Sequence, residues 1–354
     1  MNRDLFCAAD FQEILSGRRR GVGAGVLRGV LDVGEWFYAA AIRRRNRRYD
    51  RGLATIHRVG VPVLSVGNLT LGGTGKTPLV HWLARWFSER GIRVAVASRG
   101  YGATAGQLND EARELQRSLP NVPHLQDPDR VAAARQAIAA GGAQLIVLDD
   151  GFQHRRLARD LDVVLLDALE PFGFGHVFPR GWLREPVEGL RRAGVVILSR
   201  ADLLDAAGRA AVWQAVRQHA PEAVEAEVIH APRRLISATG GEMPLDGLKG
   251  QPVAAFCGIG NPAGFRHTLE ACGCRLLGFR AFSDHHRYTP ADSAQLSDWA
   301  KGLGASLLLC TGKDLVKLSP DRFGDPPLWA IGIEIEFRSG FEPFQSRLER
   351  LCAG

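Results

Sequence analysis

No stretch of about 20 uncharged apolar residues, the length a helix needs to cross a bilayer, occurs in this 354-residue chain. The most apolar segment near the N-terminus, residues 22–42, is interrupted by Arg28, Asp32 and Glu35. A cleavable signal peptide is not expected, because no compact apolar core leads to a small-residue cleavage site. The six cysteines form no framework. Cys257 and Cys310 sit in apolar, strand-like runs, and Cys272-Gly273-Cys274 lacks the two-residue spacer of a zinc knuckle. Reduced, structural thiols and a cytoplasmic setting are the expectation. Internal repeats are absent, as are low-complexity tracts other than clusters of arginine. The remaining composition, 45% hydrophobic and 23% charged, is that of a globular protein long enough for about two domains.

The formal net charge of +7 suits an anionic partner: nucleic acid, an acidic membrane surface or a phosphorylated substrate. Arg18-Arg19-Arg20 and Arg43-Arg44-Arg45-Asn46-Arg47-Arg48, with Arg51 beyond, concentrate positive charge on either side of residues 22–42. In a helix, Arg28, Asp32 and Glu35 fall on one stripe, and Leu27, Val30, Leu31, Gly34, Phe37, Tyr38 and Ala41 on the opposing face. Such a helix suits the headgroup layer of an anionic leaflet, and a plain surface helix is the alternative. Nucleic acid is not expected as a partner, because the arginines flank an apolar helix and are not interleaved with stacking aromatics.

Further along, short apolar runs alternate with helix-like stretches, the pattern of a parallel sheet covered on both faces. Strands are expected at residues 61–66, 93–97, 145–148, 163–166 and 195–198, with helices at 77–90, 110–118, 128–140 and 203–219. Gly, Pro and mixed polar residues over 233–252 suggest a linker. A second α/β unit follows, with strands at 253–257, 275–282, 306–310 and 329–335 and a helix at 290–302. The expected division is a basic N-terminal segment at 1–50, a core domain at 51–235 and a smaller α/β domain at 236–354.

The loop Gly72-Gly73-Thr74-Gly75-Lys76-Thr77-Pro78 lies between the first of these strands and an amphipathic helix. Successive backbone N–H groups and a helix N-terminus favour a polyphosphate there. Lys76 could reach the β- and γ-phosphates, and the Thr77 hydroxyl could ligate Mg²⁺. The strict pattern G-x-x-x-x-G-K-[ST] wants Gly at position 70, where this chain has Thr70. Asp149 and Asp150 end an apolar strand, where carboxylates can hold Mg²⁺ or its waters.

Other residues carry two readings. Arg99, in Ser98-Arg99-Gly100-Tyr101-Gly102, could bind a phosphate or form a surface ion pair. Asp110 and Glu111 could complement a helix dipole, or an Asp there could serve as the base of a kinase. Gln153 and His154 offer polar groups beside the carboxylates, and His285 and His286 could be a structural pair or tune a proton. Gly258-Ile259-Gly260-Asn261-Pro262-Ala263-Gly264 is a weak dinucleotide fingerprint, explained equally by a tight turn. Ser199-Arg200-Ala201-Asp202 has the position of the guanine-reading N-K-x-D element but lacks its Asn and Lys. A GTPase-like nucleotide switch that binds a partner is therefore the alternative to a kinase.

Taken in order, the motifs resemble those of the tetraacyldisaccharide 4′-kinase family. The matching blocks are residues 66–78, Ser98-Arg99-Gly100-Tyr101-Gly102, Leu148-Asp149-Asp150-Gly151-Phe152-Gln153-His154, Leu198-Ser199-Arg200-Ala201-Asp202 and residues 282–289. Thr311-Gly312-Lys313-Asp314 is similar to the family's T-E-K-D element with Gly312 in place of Glu, and Asn109-Asp110-Glu111-Ala112 to its G-D-E-P element. Thr at position 70 is usual in that family. The resemblance implies a P-loop NTPase-type fold and ATP-dependent phosphorylation of the 4′-hydroxyl of a membrane-embedded tetraacyl glucosamine disaccharide 1-phosphate. It further implies a monomer at the cytoplasmic face of the bacterial inner membrane, with the smaller domain closing over the active site. Residue by residue, Gly72, Gly73, Thr74, Gly75, Lys76 and Thr77 would bind ATP, and Thr77, Asp149, Asp150 and Glu111 would support Mg²⁺. Asp110 would act as base, assisted by His285 or His286. Lys76 and Arg99 would stabilise charge, and Tyr101, Gln153 and His154 would meet the substrate.

Overall fold

The structure, a computed structural model, describes residues 13–100, 110–237, 239–284, 286–318 and 323–352, and at Asp110 and Glu111 the backbone alone. Of the residues singled out above, Tyr101, Gly102, Asn109 and His285 lie outside the described residues.

Helix α1, Val22–Asp50, runs through the second arginine cluster, and Arg47 and Arg48 in its last turn complement the helix dipole. It is followed by β1 (Val63–Asn68), α2 (Lys76–Ser88) and β2 (Val94–Ser98). Next come α3 (Asp110–Ser118), β3 (His124–Gln126) and α4 (Arg130–Gly141). The Asp129 side chain caps α4 by accepting from Val131 N and Ala132 N, and Gly142 ends the helix at φ 57°, where a side chain is disfavoured. Strands β4 (Leu145–Asp149), β5 (Leu161–Asp167) and β6 (Val195–Ser199) follow, then α5 (Ala206–His219) and β7 (Val224–Ser237). The last part holds β8 (Glu242–Pro244), β9 (Pro252–Cys257), α6 (Pro262–Ala271), β10 (Arg275–Ala281) and α7 (Pro290–Gly302). Strand β11 (Leu307–Thr311), the one-turn α8 (Gly312–Leu315), β12 (Leu328–Ser339) and α9 (Phe341–Cys352) complete the chain. The architecture is mostly parallel sheet with helices.

Two compact units form, each from more than one stretch of chain. The first comprises Met1–Lys76, Leu145–Val228 and Phe337–Gly354. Here β1 lies between β4 and β5, parallel to both, with Val66 opposite Asp149 and Val163. Strand β6 adds parallel to β5, and the first half of β7 to β6. β1 and β4 are buried along their whole length, which is why they read as unbroken apolar runs instead of alternating. Because all run the same way, Asn68, Asp149, Asp167 and Ser199 end at one edge, where ligands of open α/β sheets bind. Phe152, Val164, Leu166, Val196 and Trp213 belong to the core under that edge.

The second unit comprises Thr77–Gln144 and Ile229–Glu336. Strand β9 lies between β10 and β11, with β12 beyond β11, all parallel. Phe256, Leu296 and Leu308 pack on one side, and Leu235, Phe265 and Leu309 on the other. Burial pushes the Cys257 thiol up to about 12, and the Asp314 carboxylate adds to that shift, so this cysteine stays an inert core residue.

The linker expected at 233–252 is replaced in its first part by structure. β7 continues to Ser237 and turns into an antiparallel pairing with β8, Leu235 opposite Met243. Arg233 and Arg234, polar residues in the sequence, pair with Glu336 and Glu334 of β12, Arg234 at 2.7 Å. Opposite charges on strands about a hundred residues apart stabilise a strand that local composition disguises.

Candidate nucleotide-binding site

The turn after β1 is shaped by two glycines in the left-handed region, Gly72 at φ 108° and Gly75 at φ 86°. Thr70 has no such backbone. It is buried, bridges antiparallel to Leu183, and its carbonyl accepts from Asn68 Nδ2 at 2.7 Å. A β-like residue is therefore at home where the strict pattern has Gly. The segment around Leu183 holds the turn from outside, with Leu71 N donating to Trp182 O (2.7 Å) and Arg184 N to Leu69 O (2.7 Å). Among the described residues the buried Thr74 hydroxyl has no hydrogen-bond partner. An unpaired polar group of this kind inside a turn suits an incoming oxygen-rich ligand.

Lys76 opens α2, its side chain only 14% exposed. Its ammonium donates to Asn68 Oδ1 at 3.1 Å and lies 3.4 Å from Asp150 Oδ1. Asn68 cannot flip, since its amide nitrogen is committed to Thr70 O. Asp150 sits just past β4 in the left-handed region, φ 55°, with Arg184 Nη1 at 2.9 and 2.7 Å from its two oxygens. Burial alone would raise its carboxyl, but Lys76 and then Arg184 outweigh that and hold it at about 2, below the ordinary 3.8. The stabilisation from this ionised group is present above 3.8 and is lost only as the pH falls toward 2. Asp149 is buried at the last position of β4, and Thr77 is buried on α2 directly after Lys76. Gly67 permits the close packing of this region: a Cβ there would lie 2.5 Å from Phe152 Cβ.

Gln153 is a brace. Its amide nitrogen donates to Asn68 O and to Glu185 Oε1, both at 3.0 Å. His154 follows in the same turn, half-buried, its N–H donating to Gly151 O at 2.8 Å. The fully buried Glu185 also takes Arg192 Nη2 at 2.8 and 2.9 Å and Asn46 Nδ2 of α1 at 2.9 Å. Arg184 and Glu185 were not visible as site residues in the sequence, because residues 168–194 carry neither helical nor strand periodicity. Replacing Glu185 with Ala strands the Arg192 guanidinium, and the chain should lose about 3–5 kcal/mol of stability. Chemical denaturation at an unchanged m-value reads this, and a loss under about 1 kcal/mol would deny the cluster its role.

In the second unit, Arg99 is exposed just beyond β2, with no hydrogen bond or ion pair among the described residues. Asp110 and Glu111 form the first turn of α3. His286 stacks on Phe282 at 4.6 Å between ring centroids, and its Nε2 lies 3.3 Å from Asp292 Oδ2. Asp314 ties three motifs together: Gly258 N donates to both its oxygens at 3.1 Å, Tyr288 Oη at 3.0 Å and Thr311 Oγ1 at 2.6 Å. Burial, reinforced by Asp314, pushes the Tyr288 phenol far above its ordinary range, so it stays a donor. Gly312 also has a reason: a Cβ there would lie 2.9 Å from Glu114 Oε1 of α3, leaving no room for a second carboxylate.

A sequence model of the family described as tetraacyldisaccharide-1-P 4′-kinase matches residues 27–353. A tetraacyldisaccharide 4′-kinase of Anaeromyxobacter sp. (strain Fw109-5) is 41% identical, over 97% of this chain and 96% of its own length. The one from Geobacter sulfurreducens is 35% identical, over 94% of this chain and 96% of its own. Among solved structures, the "apo" form of LpxK from Aquifex aeolicus in complex with ATP is similar with a TM-score of 0.73 at 29% identity. That likeness covers 92% of this chain and 99% of the other.

Proposed function

Because the chain belongs to the tetraacyldisaccharide-1-phosphate 4′-kinase family, we propose that the turn around Lys76 delivers the γ-phosphoryl group of ATP to the 4′-hydroxyl of that acylated disaccharide. The chain is a kinase of a sugar hydroxyl. The observation that carries the site assignment is Lys76, held between Asn68 and an ionised Asp150 at the mouth of a glycine-shaped turn.

Phosphoryl transfer is largely positioning and charge neutralisation. Backbone N–H groups of residues 72–77 and the Lys76 ammonium would surround the phosphates. Arg184 would keep Asp150 paired while Lys76 turns from it to phosphate. Asp149, Asp150 and Thr77 offer the hard oxygen donors that suit Mg²⁺, with Glu111 added by the resemblance; when bound, the ion neutralises charge on the phosphate oxygens. Arg99 would supply a further positive charge. Asp110 would accept the proton of the sugar hydroxyl, with a histidine of the 284–287 loop assisting, and Gln153 would hold its strand end in place.

The acyl chains keep the substrate in a bilayer, at about 0.8 kcal/mol for each CH₂ drawn out. No helix among the described residues is long and apolar enough to cross a membrane. Helix α1 instead exposes Val22 (87%), Val26, Val30, Val33, Trp36 (66%) and Phe37 (64%), while Glu35, Tyr38 and Asn46 turn inward to His176, Arg184 O and Glu185. The polar stripe thus docks on the protein, and with it Leu27, Leu31, Gly34 and Tyr38 of the face expected opposite are half-buried, while a row of valines with Trp36 and Phe37 is left outside, between two arginine clusters. We assign this face to the headgroup boundary of an anionic leaflet, at the cytoplasmic side of the inner membrane. Changing Trp36 and Phe37 together to Ser should weaken binding to anionic vesicles at least about tenfold in co-sedimentation. Unaltered binding would remove α1 from the interface. The reaction itself is tested with ATP, Mg²⁺ and the disaccharide in detergent: 4′-phosphorylated product is expected, and its absence overturns the assignment.

A further inference from the structure

One motif, Ser199-Arg200-Ala201-Asp202, has no part in the chemistry above, and its lack of Asn and Lys leaves it unfit to read guanine. Its arginine is nonetheless held unusually firmly. Arg200 leaves β6 in the left-handed region, φ 56° and ψ 41°, a conformation that disfavours a side chain and persists where surroundings enforce it. The side chain is 13% exposed. Nη1 pairs closely with Asp167 at the end of neighbouring β5, where Asp167 and Ser199 are in register. The Asp167 carboxylate is oriented in turn by the backbone N–H of Leu169, two residues further along the same turn, which donates to its Oδ1 at 3.2 Å.

 With Nη1 so occupied, Nη2 donates to the carbonyl of Gly73, inside the glycine-shaped turn, at 3.1 Å.

That contact fixes more than a carbonyl. A trans peptide is planar, and its C=O and N–H point in opposite directions. With the Gly73 carbonyl drawn to Arg200, the N–H of Thr74 in the same plane must face away from Arg200. Gly73 has no side chain to restrict this plane, and a Cβ there would meet nothing within 4 Å, so no packing of its own fixes it. The unpartnered Thr74 hydroxyl, buried in the same turn, is an independent sign that the residue awaits an oxygen-rich ligand.

We infer that Arg200, fixed by Asp167, is a positioning residue that sets the Gly73–Thr74 peptide so that the Thr74 N–H meets the β-phosphate of a nucleoside di- or triphosphate. Arg200 acts through the peptide and does not touch the nucleotide. The inference rests on the reading of this turn as the phosphate cradle.

Calorimetric titration of the full chain with Mg·ADP and Mg·ATP tests it. Arg200→Ala should weaken both nucleotides alike, by about tenfold, because each carries a β-phosphate. Arg200→Lys, which keeps a cationic donor, should recover part of the loss. KM for the acylated disaccharide should stay at the parental value, which a general loosening of the fold would not leave alone. Should Arg200→Ala not fold, Asp167→Asn takes its place, leaving the guanidinium present but no longer held; ADP and ATP should again weaken together. Parental affinity in the folded variant, or a loss confined to ATP, overturns the inference. Failure of the underlying reading looks different: the parental chain would then bind neither nucleotide in a manner dependent on Lys76.

Discussion

Lys76→Ala turns over the acylated disaccharide about a thousandfold more slowly than the parental chain, while its melting temperature stays close to parental. The two halves of this expectation have separate causes. Structurally, the lysine leaves little behind when it goes. Asn68 retains its bond to Thr70 O, and Asp150 retains both contacts to Arg184, so no buried charge is abandoned. Glu185→Ala is the opposite case, because there the remaining guanidinium has no second carboxylate within hydrogen-bond reach among the described contacts. Chemically, the loss falls on a transition state whose charge is spread over the phosphoryl oxygens, and one fixed cation there is worth about 10²–10³ in rate. Lys76→Arg should not restore the rate, since a planar fork cannot replace a compact ammonium in a site shaped by Asn68 and Asp150. Steady-state kinetics in detergent micelles, beside a thermal melt, reads both halves. Turnover within about tenfold of parental would take this turn out of the reaction.

Asp110→Asn should lower kcat by about 10²–10⁴ and leave ATP affinity nearly intact. The substitution preserves shape and removes only the ability to accept a proton. If Asp110 served merely as the first residue of α3, the outcome would be a stability loss of about 1 kcal/mol with little change in rate. The pH dependence separates the two further. A carboxylate base works only when ionised, so the parental rate falls as the pH drops through its pKa, and the Asn variant loses that limb of the profile. Parental kcat in the variant would transfer the base role to another group.

Much of the candidate site was legible because it is local in the chain. Gly72 to Thr77 form one turn, and Asp149 and Asp150 are neighbours at a strand end, so pattern and place coincide. β1, β4, β5 and β6 were legible because burial on both faces writes them as apolar runs, although their ends shifted by one or two residues. What escaped depends on partners distant in sequence. Arg184 and Glu185 gain meaning only once Leu183 bridges Thr70. β7 is stabilised in its second half by carboxylates of β12, and reads as a linker without them. Arg200 stands where a nucleotide-reading residue was sought, but its guanidinium turns toward the carbonyl of Gly73 and not outward. On α1 the charged stripe was legible, but its direction and the residues of the exposed face were not, since His176 and Glu185 decide which side faces in and leave Leu27, Leu31 and Tyr38 half-buried.

The contacts of α1 bear on any attempt to make this enzyme easier to handle by trimming its N-terminus. Asn46 fills one oxygen of Glu185, its carbonyl accepts from Arg155 at 3.0 Å, and Asp50 takes the other arm of that arginine at 2.8 Å. Arg45 reaches the carbonyl of Gln153 at 2.9 Å. A shortened form that starts after residue 50 would surrender these bonds along with its greasy surface, exposing the strut behind the glycine-shaped turn. Slow catalysis by such a form on a dispersed, water-soluble acceptor would therefore report damage to the scaffold, and would say nothing about the need for a bilayer.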